Sequence, residues 1–176
     1  MAHYQVFDRD DRTTGFSYNT DFSVGPSGVD RSDDVMLVQR MLRYLYIDQP
    51  AYMVERMESP LPKGIEDLQI DGEWSDALGE AIIAFKRRAR LSGIMLHPDP
   101  IVLPCGPDAR VKSRVTRATF TIRVMHRTCE VAADDANANP YVVPPDEWPY
   151  DVGLPQRLRD ALRVYRDQAL GWHPNT

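Results

Sequence analysis

The sequence predicts a mainly helical fold, and three stretches carry that prediction. In the first, Val35, Val38, Met41, Leu42 and Leu45 recur at helical spacing and so fall on one face. In the second, Leu78, Ile82 and Phe85 form a matching stripe with Ala81 beside it, and Asp71-Gly72 marks a turn between the two. The third lies near the end of the chain. There Pro155 opens a helix whose face is Leu158, Leu162, Tyr165 and Ala169, and Gly171 closes it. The expected organisation is an N-terminal extension over 1–23, a helical domain over 24–131, and a linker with an extra C-terminal helix over 132–176.

Met1 to Phe22 shows no helical period. Tyr4 to Phe7 and Gly15 to Tyr18 can instead pair as a loose hairpin across the polar DRDDRTT connection. A lone hairpin is marginal in water, so its aromatics are expected to pack on the bundle. Gly25 and Gly28 then make a turn, Ser32, Asp33 and Asp34 are N-cap candidates, and the first helix runs from Asp33 to Tyr46. Arg40 and Arg43 lie off its apolar stripe and are expected to face solvent. Tyr44 and Tyr46 sit at the margin, where an aromatic ring with a polar tip either stacks on a sugar or covers the edge of a core.

Pro50 to Gly64 reads as an insertion with a helical turn at Tyr52 to Met57, stopped by Pro60 and Pro62. Met53 and Met57 give it an apolar face that roofs a groove or seals the bundle. In the turn that follows, Asp71 and Gly72 set a carboxylate and a permissive backbone beside Trp74. Asp71 has two uses there, as a ligand contact or as an acceptor for the amides of its own turn. Ser75 or Asp76 can cap the second helix. Beyond Leu91 a Pro- and Gly-rich segment excludes regular helix. The pattern resumes from Val111 to Val131 with a stripe of Val115, Ala118, Ile122, Met125 and Cys129, and with Arg114, Arg117, Arg123 and Arg127 mostly off it. The Thr and Val content leaves strand as the alternative over Ala118 to Val124.

The first two blocks together resemble the peptidoglycan-binding-like domain, a small three-helix bundle attached to bacterial wall hydrolases. The resemblance rests on Gly25, Gly28, Asp34, Val35, Val38, Gln39 and Leu42, then on Asp71, Gly72, Trp74, Ser75, Leu78, Ala81, Ile82, Phe85 and Lys86. Ser75, Leu78 and Lys86 depart from the family's usual Gly, Thr and Gln. The connection from Leu45 to Leu68 is longer than usual, and Asp99-Pro100 stands where a further Asp-Gly turn is expected. The resemblance covers about residues 24–91 and implies a groove for wall glycopeptide. The ligand-binding residues it points to are Tyr44, Tyr46, Asp71, Gly72 and Trp74.

Composition sets the remaining bounds. Hydrophobic content of 43% and charged content of 27% are those of a globular protein, and no run approaches the ~20 apolar residues of a membrane helix. The N-terminus has no basic start and no apolar core, so it does not read as a secretory signal. The expected location is therefore cytoplasmic, with unconventional export to the periplasm if the wall is the target. Cys105 and Cys129 are expected to be free thiols, and with His97 and His126 they match no compact metal-ligand spacing. No cofactor motif is present. From Lys86 to Arg127 ten basic residues face two acidic ones, a local charge of +8 against -13 elsewhere. That band suits an anionic partner, or it pairs with the chain's own acidic stretches.

No nucleophile elbow, phosphate loop or zinc-protease pair occurs. The expectation is a non-enzymatic binding module. It holds a peptidoglycan fragment, or it is an intracellular adaptor whose bundle binds another protein such as a secreted toxin or secretion component. Nucleic acid and membrane are not the expected partners.

Overall fold

A computed structural model describes residues 2–8, 14–27, 31–105, 120–135 and 137–169. The fold is mainly helical, as the periodicities require. The predicted hairpin forms from β1 (His3–Asp8) and β2 (Thr14–Asn19), antiparallel with Tyr4 opposite Tyr18 and Phe7 opposite Gly15. Among the described residues four α-helices follow: α1 (Ser32–Arg43), α2 (Asp76–Leu91), α3 (Thr121–Ala133) and α4 (Gln156–Ala169). Among the described residues, Ile122 onward resolves the helix-or-strand alternative as helix. The Gly28, Arg114, Val115, Arg117, Ala118 and Gly171 readings fall outside the described residues.

The centre of the molecule is α1. Every residue from Asp33 to Leu42 is buried, which for a helix means neighbours on all sides. α2, α3 and α4 each contact it, β2 packs on α3, and β1 packs on α4. The expected core is in place: Val35, Val38, Leu42, Leu45, Leu78, Ile82 and Phe85 are all buried. One cluster runs from Ala2 and Tyr18, through α1 to α3, to Trp148, Leu158 and Leu162. The hairpin and the C-terminal helix therefore share the core of the middle of the chain.

The polar residues of α1 show what covers it. Asp33 and Asp34 do not cap the helix, because the N-cap is Arg31 with no side-chain bond. They lie in the first turn, where negative charge suits the helix dipole. Asp33 accepts from the Ala2 N–H (3.1 Å) and from Arg157 of α4 (3.4 Å), and Asp34 accepts from the Phe22 N–H (3.3 Å). Arg40 was expected in solvent and is instead buried. Its guanidinium pairs with Asp48, lies 3.9 Å from Asp151, and sits over the Trp148 ring (4.9 Å). Arg43, half-buried, donates to the Leu68 carbonyl (3.0 Å). Both were misplaced for one reason: helical spacing shows which residues leave the apolar stripe, but not which distant segment covers the other face.

Beyond Arg43 the helix continues through Tyr44–Asp48 with a wider winding, in which the Gln49 N–H reaches the Tyr44 carbonyl at 2.7 Å. Met53, in the helical turn Ala51–Arg56, is buried and Met57 packs against the same core, so this face seals the bundle. The stretch expected as a linker carries a short helix, Pro145–Tyr150, and puts Trp148 fully inside. α2 starts as predicted, with Ser75 Oγ accepting from the Leu78 N–H (3.1 Å).

Three amide side chains tie distant backbone together much as a strand would. Asn19 exchanges two bonds with Cys105 (2.9 and 3.1 Å), and Gln49 exchanges two with Asn139 (2.6 and 3.0 Å). The third is Gln39, at the turn described next. Each satisfies backbone groups that lie outside the sheet and the helices. Cys105 and Cys129 are both free and buried.

Candidate functional site

Gly72 has φ +79°, a left-handed conformation that glycine adopts without strain. A Cβ there would also lie 2.6 Å from the Ser32 carbonyl oxygen. The turn thus presses against the start of α1, and Gln39 locks it. The Gln39 amide nitrogen donates to Asp71 Oδ1 (2.8 Å) and to the Glu73 carbonyl (2.9 Å), while its oxygen accepts from the Gly72 N–H (2.9 Å). Asp71 Oδ1 accepts in addition from the Glu73 N–H (2.9 Å). Partial burial pushes the Asp71 carboxyl upward, but the bonds from Glu73 and Gln39 outweigh it and hold it below the usual carboxylate range. Gln39→Ala should therefore cost about 1–3 kcal/mol, because it leaves a buried N–H unpaired. Urea denaturation read by far-UV circular dichroism measures that loss.

Trp74, two residues on, is half-buried and lies across the first turns of α2. Its ring comes so close to Gly79 that a Cβ there would sit 3.1 Å from Cζ2. Beside it opens a surface groove of about 530 Å³. Pro26, Pro100 and Ile83 supply apolar walls with Trp74, and the Lys63-Gly64 backbone closes one side. Lys63, Asp76 and Glu80 reach the rim and are exposed, and their side chains make no hydrogen bond or ion pair among the described residues. One cation and two carboxylates around an indole can receive a ligand bearing both charge signs and an apolar or sugar face.

The five residues picked out by the sequence divide unevenly. Asp71, Gly72 and Trp74 share one turn, and of these Trp74 lines the groove. Asp71 is exposed, but Oδ1 spends its acceptor capacity within the turn. Tyr44 and Tyr46 do not reach the surface. Tyr44 packs edge-on against Trp148 (5.5 Å between centroids), and burial pushes its hydroxyl up to about 12. Tyr46 is buried with its hydroxyl 3.3 Å from Ser59 Oγ, in the insertion. The wider winding and the segments 51–56 and 145–150 enclose Tyr44, Leu45 and Tyr46 on successive sides, so a residue at the margin of the stripe is not at the margin of the core.

Lys63, Glu80 and Gly79 were not singled out by sequence reasoning, and Asp76 was read only as a helix cap. Gly79 did leave a signal, since glycine inside a helix costs about 1 kcal/mol relative to Ala and so needs a packing reason. Among the described residues no three His, Cys, Asp or Glu side chains gather to hold a metal ion, and no helix is long and apolar enough to cross a membrane. Compared with known proteins, the chain matches no family model, no curated protein and no solved structure at a significant level.

Proposed function

We propose that this chain is a non-catalytic binding module, a helical bundle of the peptidoglycan-binding-like kind, that holds bacterial wall glycopeptide in the groove beside Trp74. The observation that carries this reading is the groove itself: an indole face ringed by Lys63, Asp76 and Glu80, whose charged ends have no internal partner among the described residues. Wall glycopeptide presents sugar faces, amides and charges of both signs, which is the chemistry such a groove accepts. Supporting it, the two half-motifs behind the resemblance meet in space, with Gln39 of the first bonded to Asp71 and Gly72 of the second. Their joint occurrence in the sequence has a structural reason.

The test is co-sedimentation with insoluble peptidoglycan sacculi, beside a helical protein of similar size without wall affinity. The intact chain should be retained and Trp74→Ala should lose at least roughly tenfold in affinity, the scale of a lost aromatic anchor. An intact chain retained no better than the control, or Trp74→Ala retained as well as the intact chain, would sink the proposal. A second reading, an adaptor that binds another protein through this bundle, is favoured by exposed apolar residues that do not line the groove, including Leu91, Met95 and Tyr141.

A further inference from the structure

The basic residues of the chain are not uniformly neutralised by its own acids. Lys86 is buried and bonded to Asp99 (2.6 Å) and to the Ile101 carbonyl, Arg127 pairs with Glu130 (3.0 Å), and Arg40, Arg56 and Arg157 each have a carboxylate. The guanidinium groups of Arg87, Arg88 and Arg90, in the last turns of α2, have no hydrogen bond or ion pair among the described residues. Cations at a helix C-terminus suit its dipole, which accounts for the charge. It does not account for two large apolar side chains left in water beside them. Leu91 is 78% exposed and Met95 is 80% exposed. The turn through Gly93, with the Ile94 N–H bonded to the Ala89 carbonyl (3.0 Å), folds Met95 back next to the helix end.

A surface of opposite charge and similar make-up lies on the same chain. From Asp134 to Val152 there are five acidic residues and no Lys or Arg; Asp135 is taken up by Arg56 and Asp151 lies beside Arg40, while Asp134 and Glu147 stand exposed. Tyr141 is 94% exposed and Val152 is 85% exposed in that stretch, and Glu147 is exposed with no hydrogen bond or ion pair among the described residues. We propose that these two surfaces meet between copies: the basic end of α2 on one copy docks on the acidic stretch 134–152 of the next. Both complementary faces are present on every copy, and each pairs unpartnered charge with apolar side chains that stay exposed in the single chain. An anionic bilayer or nucleic acid would answer only the basic face and would meet a chain of net charge -5. The contact is heterologous, so it propagates head to tail instead of closing on a two-fold axis.

Sedimentation velocity of the purified chain over a range of concentration, at low and at high salt, tests this. Association should grow with concentration and fade with salt, since exposed charge pairs are screened. Arg87→Glu with Arg90→Glu removes the basic face, and Glu147→Lys with Tyr141→Ala removes the acidic one. Each double variant alone should stay monomeric, while a mixture of the two should form a dimer that does not extend, because each supplies the face the other lacks. Melting curves should match the parent, as all four side chains are exposed. A chain that is monomeric at every concentration overturns the proposal. So does association that both variants leave intact, or variants that fail to pair on mixing. None of these results bears on the groove, which lies on other residues.

Discussion

Trp148→Ala is expected to destabilise the protein by about 3–5 kcal/mol, the cost of emptying a fully buried aromatic site. Trp148 stacks on Tyr18 of the hairpin (5.6 Å, 9° between planes), meets Tyr44 edge-on, and lies under the Arg40 guanidinium. Its indole N–H donates to the Val143 carbonyl (3.1 Å), and the Tyr18 hydroxyl donates to the Pro145 carbonyl (2.5 Å). Removing the ring opens a cavity between the hairpin, the central helix and the C-terminal segment at once, and it strips one face from a buried cation. Chemical denaturation should show a lower midpoint with one transition, because the three regions share a core. A loss below that of Trp74→Ala, whose ring is only half-buried, would contradict the shared core.

Acid should weaken the fold through His126. Its ring is buried in α3, edge-on to Tyr18 (5.1 Å), with Nδ1 3.8 Å from Glu130. Burial first, then Arg123 and Arg127, lower its pKa to about 3 from an ordinary value near 6.5. The imidazole is therefore neutral in the fold, and below about pH 6.5 the unfolded chain takes up a proton that the folded chain refuses. This contribution is complete above pH 6.5 and is lost as pH falls toward about 3. The limiting slope is about 1.4 kcal/mol per pH unit. Asp34 acts in the opposite sense, since burial raises its carboxyl, so protonation relieves a buried charge. Its effect belongs to the carboxylate range, and the histidine is best isolated between pH 7 and 5. Denaturation midpoints for the parent and for His126→Gln should diverge over that interval, with the variant flatter. Parallel curves would show that His126 does not set the acid sensitivity.

The readable part of this fold is the part built from local period. Val35 to Leu45 and Leu78 to Phe85 alternate with polar residues at helical spacing, and their apolar faces are buried as that spacing requires. The hairpin was legible because aromatic and β-branched residues flank a polar connection. Arg40 could not be read, since nothing near it in sequence announces Trp148 and Asp151, which lie more than a hundred positions away. Trp148 was hidden for a related reason: Pro and Asp around it describe an irregular backbone, and an irregular backbone can still carry a core side chain. In the candidate site, Asp71, Gly72 and Trp74 were legible as a turn. The displacement of Tyr44 and Tyr46 from that surface follows from the wider winding after Arg43 and from the two segments that close over it. The winding and the segment 145–150 have no local signature; the turn at 52–57 was legible, but not what it covers.

The groove beside Trp74 is the centre of the functional account, and the indole N–H resonance of that residue reports on it directly. Soluble muropeptide should be titrated into labelled protein, with Trp74→Phe identifying the signal by its loss. The account predicts that the Trp74 indole resonance moves saturably while that of Trp148, sealed in the core, holds its position. A Trp74 resonance that stays fixed up to millimolar-scale ligand, about the weak limit of specific binding, would contradict it.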